Sequence, residues 1–400
     1  MTNESVYLYV LFTLQLNSLT YNSQHSTLCM WVQKMALMLL VARERRNHKP
    51  RVFRDRTQPL DCMTDDELIS HYRLPRESII ELIDTLTPDL KHPSMRSNAL
   101  PVSTQVLVSL QFYATGSMQR VTGDIHGVSQ PSVSRCVNAV SNALTHKASD
   151  YIRFPTQEHH QRKIMSEFHE IAGFPNILGC IDGTQIPITT PHTNENIYVC
   201  RKGFRSINVQ AICDSKLRFL NVVAKYPGST HDSFVWRNCS VYHHMAQQGT
   251  AVPGWLLGDS GYQLSPFLMT PVSNPTTPAE LFYNKKHCQT RNTIERSFGL
   301  LKLRFRCLHR TGGCLQSPPS TCAKIITACT VLHNICIDNG VPQPDNTDDD
   351  ERHDDGDDES QDTMANDNNS SSAGAGSSTG VGNGGRVRQN LIARRFTCSS

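Results

Sequence analysis

Three carboxylates in this 400-residue chain have the types and spacing to share divalent cations. Asp182 closes the apolar run 177–181 and Gly183 follows it. Asp259 closes the run 255–257, after Gly258. Glu295 comes next, with the 35 positions 260–294 between it and Asp259. Two divalent cations about 3.5–4 Å apart activate a water or a 3′-hydroxyl and stabilise the leaving oxygen of a phosphodiester. Hard cations of the magnesium type take oxygen ligands. Two Asp and one Glu supply them, and one carboxylate can bridge both ions. Singly, each residue has a plainer reading. An Asp at a strand end is ordinarily a turn residue or a cap, and a Glu near a helix start offsets the helix dipole. Asp232, between the first two acids, is a weaker candidate ligand. It reads more readily as the cap of the helix that follows.

The elements that must position these acids are short strands followed by helices. Residues 177–182 predict a strand, with Gly183 allowing a tight turn or a close approach. Pro187 predicts that any continuation is an edge or a separate segment. Residues 206–213 and 217–224 flank Asp214-Ser215-Lys216 and predict a β-hairpin. Residues 227–232 end the hairpin and open a helix through Phe234 and Trp236, and residues 255–262 predict a further strand. From Asn292 onward, Ile294, Phe298, Leu301, Phe305 and Leu308 recur at helical spacing. Gly299 lies one turn beyond Glu295 on its face. Strand, hairpin, helix, strand, then helices is the order of a ribonuclease-H-like α/β sheet. Arg201, Lys202 and Arg205, ahead of the hairpin, are candidate phosphate contacts, with a solvated loop as the plain alternative.

Ahead of the sheet, residues 61–148 read as helices. Thr64-Asp65-Asp66-Glu67 is a capping box. Pro75 opens a second helix whose core face is Ile79, Ile80, Leu82, Ile83 and Leu86, and residues 103–113 make a third. Residues 118–137 predict a helix-turn-helix. The expected parts are a short helix, a turn at Gly127, an N-cap at Ser129, Pro131 in the first turn, and Val133, Val137 and Val140 facing inward. Gln130, Ser132, Ser134 and Arg135 face outward at the end that enters a major groove in such motifs. The same spacing also occurs in plain helical bundles.

The net charge of +3 conceals an asymmetry. Residues 345–367 hold 12 acids against one Arg, a net −11, so the remainder carries +14. Four Arg in the last 15 residues leave +10 on residues 1–344. A basic body suits a phosphate-binding protein, because neutralised phosphates release counterions. The 14 Cys include no C-x-x-C pair, and Cys322, Cys329 and Cys336 read as small hydrophobes on one helix face. With no export signal legible, reduced thiols predict the cytosol or nucleus. No stretch reads as a membrane span. The predicted organisation is an N-terminal extension and basic segment (1–60), a helical helix-turn-helix domain (61–150) and a ribonuclease-H-like mixed-sheet domain (151–340). A disordered acidic, low-complexity tail (341–385) and a short basic segment (386–400) that docks back or binds a partner complete it. Met35, opening the apolar run 35–41, is a candidate alternative start.

Taken in order, a set of motifs resembles the PIF/Harbinger transposase superfamily over about residues 35–340. The set comprises Arg51-Val52-Phe53-Arg54-Asp55-Arg56, the 116–140 helix-turn-helix, Arg201-Lys202-Gly203, Pro227-Gly228-Ser229 and Leu257-Gly258-Asp259-Ser260. It closes with Ile294-Glu295-Arg296-Ser297-Phe298, Arg304-Phe305-Arg306-Cys307-Leu308 and Val331-Leu332-His333-Asn334. The resemblance implies a DDE triad of Asp182, Asp259 and Glu295, in which the 35-residue gap favours Asp259 over Asp232. It further implies a ribonuclease-H-like fold, Mg2+ or Mn2+ as cofactor, DNA as substrate, a Myb-like DNA-binding partner, and a nuclear location with a cytoplasmic pool. Domesticated relatives with an idle nuclease, and active transposases that also perform strand transfer, are both compatible. Residues 1–34 and the acidic tail depart from the pattern.

Overall fold

The computed structural model describes residues 59–91, 99–191, 193–248, 254–344 and 381–396. The N-terminal extension, the basic cluster ahead of residue 57 and the acidic tail at 345–380 lie outside the described residues.

Helix α1 (Asp65–Tyr72) starts at the expected capping box. The Glu67 backbone N–H donates to the Thr64 hydroxyl, and the Thr64 N–H donates to the Glu67 carboxylate. Helices α2 (Arg76–Leu90) and α3 (Val102–Thr115) follow. Then α4 (Gln119–Ile125) and α5 (Gln130–His146) are joined through Gly127, whose φ of 62° suits a residue without Cβ. Val133, Val137 and Val140 of α5 are buried, while Gln130, Ser134 and Arg135 are exposed. One apolar cluster contains Leu68 of α1, Val137 of α5 and residues of the sheet such as Phe219. The helical region and the sheet therefore share a core.

Helix α6 (Glu158–Ala172) leads into a five-stranded mixed sheet. Its strands are β1 (Ile177–Pro187), β2 (Ser206–Cys213), β3 (Phe219–Pro227), β4 (Trp255–Leu257) and β5 (Leu268–Met269). The spatial order is β3-β2-β1-β4-β5. β1–β2 and β2–β3 pair antiparallel; β1–β4 and β4–β5 pair parallel. β1 runs on past Asp182 to Pro187, and this continuation is the edge that the proline predicts. The reason is one-sided pairing. β4 pairs with β1 only as far as Cys180, so beyond that point β2 is the one neighbouring strand, and Pro187 sits at the end opposite Ser206, its carbonyl accepting from Leu315 N–H at 3.1 Å.

Side-chain parity along the sheet decides which residues share a face. On β1, Cys180 and Ile186 belong to the large cluster, whereas Ile181 belongs to a second cluster with Trp236 and Met245. On β2, Val209, Ala211 and Cys213 face the first cluster and Ile212 the second. Helices α7 (Asp232–Arg237) and α8 (Ser240–Gln248) carry the second cluster's Trp236 and Met245.

The opposite face is covered by α9 (Pro278–Arg304) and α10 (Pro319–Asp338). α9 begins fourteen residues before the expected Asn292, at a Thr277–Glu280 capping box with Pro278 in the first turn. α10 is long and apolar enough to span a membrane by composition, but two thirds of that stretch is buried in the protein. Its Asn334 works as an artificial strand partner. The side-chain oxygen accepts from Phe219 N at 2.9 Å, and the amide donates to Phe219 O at 2.8 Å and Tyr151 O at 3.0 Å. His333 bonds Leu217 O at 2.9 Å. The Val331–Asn334 motif thus pins the β2–β3 turn.

The basic C-terminal segment does dock back. Helix α11 (Val381–Arg395) leads to buried Phe396, whose ring lies 5.2 Å from Phe174 and 5.4 Å from Tyr283. Arg388 of α11 donates to Pro271 O at 2.9 Å.

Candidate active site

Register places the first two acids. Cys180 of β1 is level with Leu257 of the parallel strand β4. Asp182 and Asp259 each follow two residues later, Asp259 just past the carboxyl end of β4, and the Asp259 charge acts on Asp182. In an open α/β sheet, the crevice beyond the carboxyl ends of parallel strands is where ligands bind. The Asp259 carboxylate is fixed by the Gly261 N–H at 3.1 Å, and that of Asp182 by the Gly183 N–H at 2.7 Å.

Parity assigns Asp182 to the α9 face, where Cys180 donates to Thr290 O of α9 at 3.3 Å. α9 supplies Glu295 from its middle rather than from its start. The dipole-compensating reading of Glu295 fails for that reason, since the helix dipole acts within the first turn. One turn earlier on the same face stands Arg291. It donates through Nη1 to Asp182 Oδ2 at 2.8 Å and through Nη2 to Glu295 Oε1. Arg291 and Asp182 are 15% and 16% exposed, and Glu295 is 48% exposed.

Asp232 reaches the site from the other face. It does not cap α7: His231 holds the N-cap position, with no side-chain cap bond. The Asp232 carboxylate turns inward instead, accepting from Asn208 Nδ2 at 2.7 Å. It rests over Gly183, where an added Cβ would come within 2.5 Å of its Oδ1. Buried Tyr262 donates to Gln210 Oε1 at 3.3 Å on the same side of the sheet. Asp182 and Asp232 thus flank β1 from opposite faces at adjacent residues.

Four acids around one strand end raise the cost of charging them. Burial pushes the Asp182 carboxyl up to about 7; Arg291 opposes this, and the charges of Asp259 and Asp232 add to it. Burial also pushes Asp232 up, against its bond from Asn208. The donors are all hard oxygens and their negative charge is only partly matched, which fits a divalent cation. As the side chains stand, no three His, Cys, Asp or Glu among the described residues are gathered closely enough to hold one.

Other residues singled out from the sequence sit elsewhere. Arg201 and Lys202 are exposed in the turn that precedes β2, with Gly203 at φ 82°. Arg205 is ion-paired with Glu195. Since Ser206 pairs with Pro187, this turn lies past the same end of β1 as the acids, about 16 Å beyond Asp182 at roughly 3.3 Å per residue. Gln130 donates to Gln119 at 2.7 Å, and Arg135 to Ser132 at 3.2 Å, with Ser132 half-buried and Ser134 exposed. Arg291, Asn208 and Tyr262 were not singled out for the site beforehand, whereas Gly183 was read as allowing a close approach, which Asp232 makes. The spacing of Arg291, four residues before Glu295 on a helix, was the available signal.

Comparison with known proteins gives the family. The DDE superfamily endonuclease family matches residues 181–334, which contain all four acids. The human protein named "Putative nuclease HARBI1" is 41% identical over 282 residues, 70% of this chain and 80% of that protein. Its Xenopus laevis counterpart is 39% identical over 278 residues, at 70% and 80% coverage. "Protein ALP1-like" of Arabidopsis thaliana is 30% identical over 258 residues, at 60% and 62% coverage. No solved structure matches. Identity of 41% over four fifths of the human protein's length shows that the chain belongs to the Harbinger transposase-derived family of DDE superfamily endonucleases.

Proposed function

We propose that the protein is a divalent-metal-dependent endonuclease that hydrolyses phosphodiester bonds of DNA, with Asp182, Asp259 and Glu295 as its triad. The observation that supports this reading is the β1–β4 register, which pairs Cys180 with Leu257, two residues before Asp182 and Asp259, together with the Arg291 fork that joins Asp182 to Glu295 of α9. The strand order supports a ribonuclease-H-like core. Asp182, Asp259 and Glu295 would hold Mg2+ or Mn2+, and Asp232 joins them as a fourth acid from the opposite face. Bound there, the cation supplies Lewis acidity to the phosphodiester. The chain's own residues do the rest. Gly183 and Gly261 N–H groups orient the two Asp carboxylates, and Asn208 orients Asp232. Arg201 and Lys202 contact the phosphate backbone beyond the strand end, and Arg205 braces that turn through Glu195. Gln130, Ser132, Ser134 and Arg135 at the start of α5 contact a major groove. A Myb-like partner, a nuclear location and a cytoplasmic pool complete the reading.

One observation favours a second reading, a DNA- or partner-binding protein whose nuclease is idle: Arg291 ties up two of the three triad acids. Plasmid nicking separates the two. The full chain with Mg2+ or Mn2+ is expected to nick supercoiled DNA, and Asp259→Ala and Glu295→Ala to lose that activity. Absence of nicking by the intact chain, even with a Myb-like partner supplied, gives the binding-protein reading the lead.

A further inference from the structure

We infer that Arg291 is the resident counter-ion of the acid site: its guanidinium holds Asp182 and Glu295 in the metal-free protein and must release them before a divalent cation binds. This rests on the metal-dependent reading above and adds a residue that sets the metal affinity. Its basis is the geometry of one planar fork. Nη1 meets Asp182 Oδ2 at 2.8 Å and Nη2 meets Glu295 Oε1, so a single cation joins acids from two elements.

An ordinary structural ion pair explains this poorly. The Glu295 half is an i,i+4 pair with a half-exposed acid, a class of pair that stabilises little. The Asp182 half draws the guanidinium, 15% exposed, into a region that already holds Asp259 and Asp232. A positive charge placed among four acids serves the acids. It occupies the carboxylate oxygens that a metal would need, and a divalent ion approaching them meets a like charge. No ligand-distance group of three acids exists among the described residues, and the guanidinium stands between Asp182 and Glu295.

The test is Mn2+ binding to the full chain without DNA, read from the electron paramagnetic resonance of free Mn2+. Asp182→Asn serves as the control that locates the ion. Arg291→Gln is expected to bind Mn2+ about tenfold more tightly than the wild type, the factor set by losing one charged hydrogen-bonded competitor. The same variant is expected to melt at a lower temperature without metal and to gain more from added Mn2+. Arg291→Lys keeps the charge but cannot bridge both acids, and is expected to fall between the two. It carries the test if the Gln variant does not fold. Equal or weaker Mn2+ binding in the variants, with the wild type binding, overturns the counter-ion role and leaves the metal reading standing. If neither wild type nor variant binds Mn2+, both fall.

Discussion

The carboxylate of Asp232 occupies the space that a side chain at residue 183 would need, 2.5 Å from where its Cβ would lie. Gly183 is thus required by a neighbour from α7, not by its own φ, which is absent from the positive-φ glycines. Gly183→Ala is expected to push Asp232 off its bond to Asn208. The stability cost is about 1–3 kcal/mol, as for other overpacked sites. Thermal melting checks the cost. Nicking is expected to fall further than stability does, to the level of Asp232→Asn.

Asn334 replaces a missing strand on the outer side of β3. Asn334→Ala leaves Phe219 N and O without partners in a buried setting. The expected loss is about 2–6 kcal/mol, at roughly 1–3 kcal/mol for each of the two stranded groups. Denaturant unfolding measures it, with an unchanged m-value marking a purely local loss.

Two buried histidines predict acid sensitivity. Burial pulls His333 down to about 3 and His287 to about 4; their bonds to Leu217 O and Met269 O oppose this. The folded state keeps both neutral while the unfolded chain protonates them near 6.5. Their contribution is therefore complete above pH 6.5 and is lost as pH falls toward 4 and 3. Stability is expected to drop on the order of a few kcal/mol between pH 6.5 and 4. His287→Gln is expected to flatten part of that slope in urea titrations at stepped pH.

Phe396 anchors the C-terminal helix among Phe174, Phe282 and Tyr283. Phe396→Ala is expected to cost about 3–5 kcal/mol if the cavity stays open, as other large aromatic truncations do. Hydrogen exchange would show α11 opening first, since only Leu391, Ile392 and the Arg388 bonds to Thr270 and Pro271 then hold it among the described residues. Equal exchange in α11 and α9 would contradict that order.

Arg201 and Lys202 are predicted to add affinity without sequence preference. Replacing both by Ala is expected to lower the magnitude of the slope of log K against log salt by about 1.8 for duplex DNA, at roughly 0.9 per phosphate contact. Fluorescence anisotropy across a salt series checks this; an unchanged slope removes the turn from the DNA path.

Much of the site was legible in the sequence because its information is local. Apolar runs ending in Asp, a hairpin around Asp214-Ser215-Lys216, and the capping box at Thr64 each reside in a few adjacent residues. The three acids of the proposed triad came from the ordered motifs of the family resemblance and its 35-residue gap. What the tertiary structure decided was everything that depends on pairing across the chain. Parallel register paired Cys180 with Leu257, two residues ahead of Asp182 and Asp259. Parity put Asp232 and Asp182 on opposite faces of one strand, turning a presumed cap into a fourth acid. One-sided pairing let β1 run on to Pro187. The helix start at Thr277 placed Glu295 mid-helix and brought Arg291 against two of the acids. These relations depend on strand register and helix packing between segments tens of residues apart, and no local pattern encodes them.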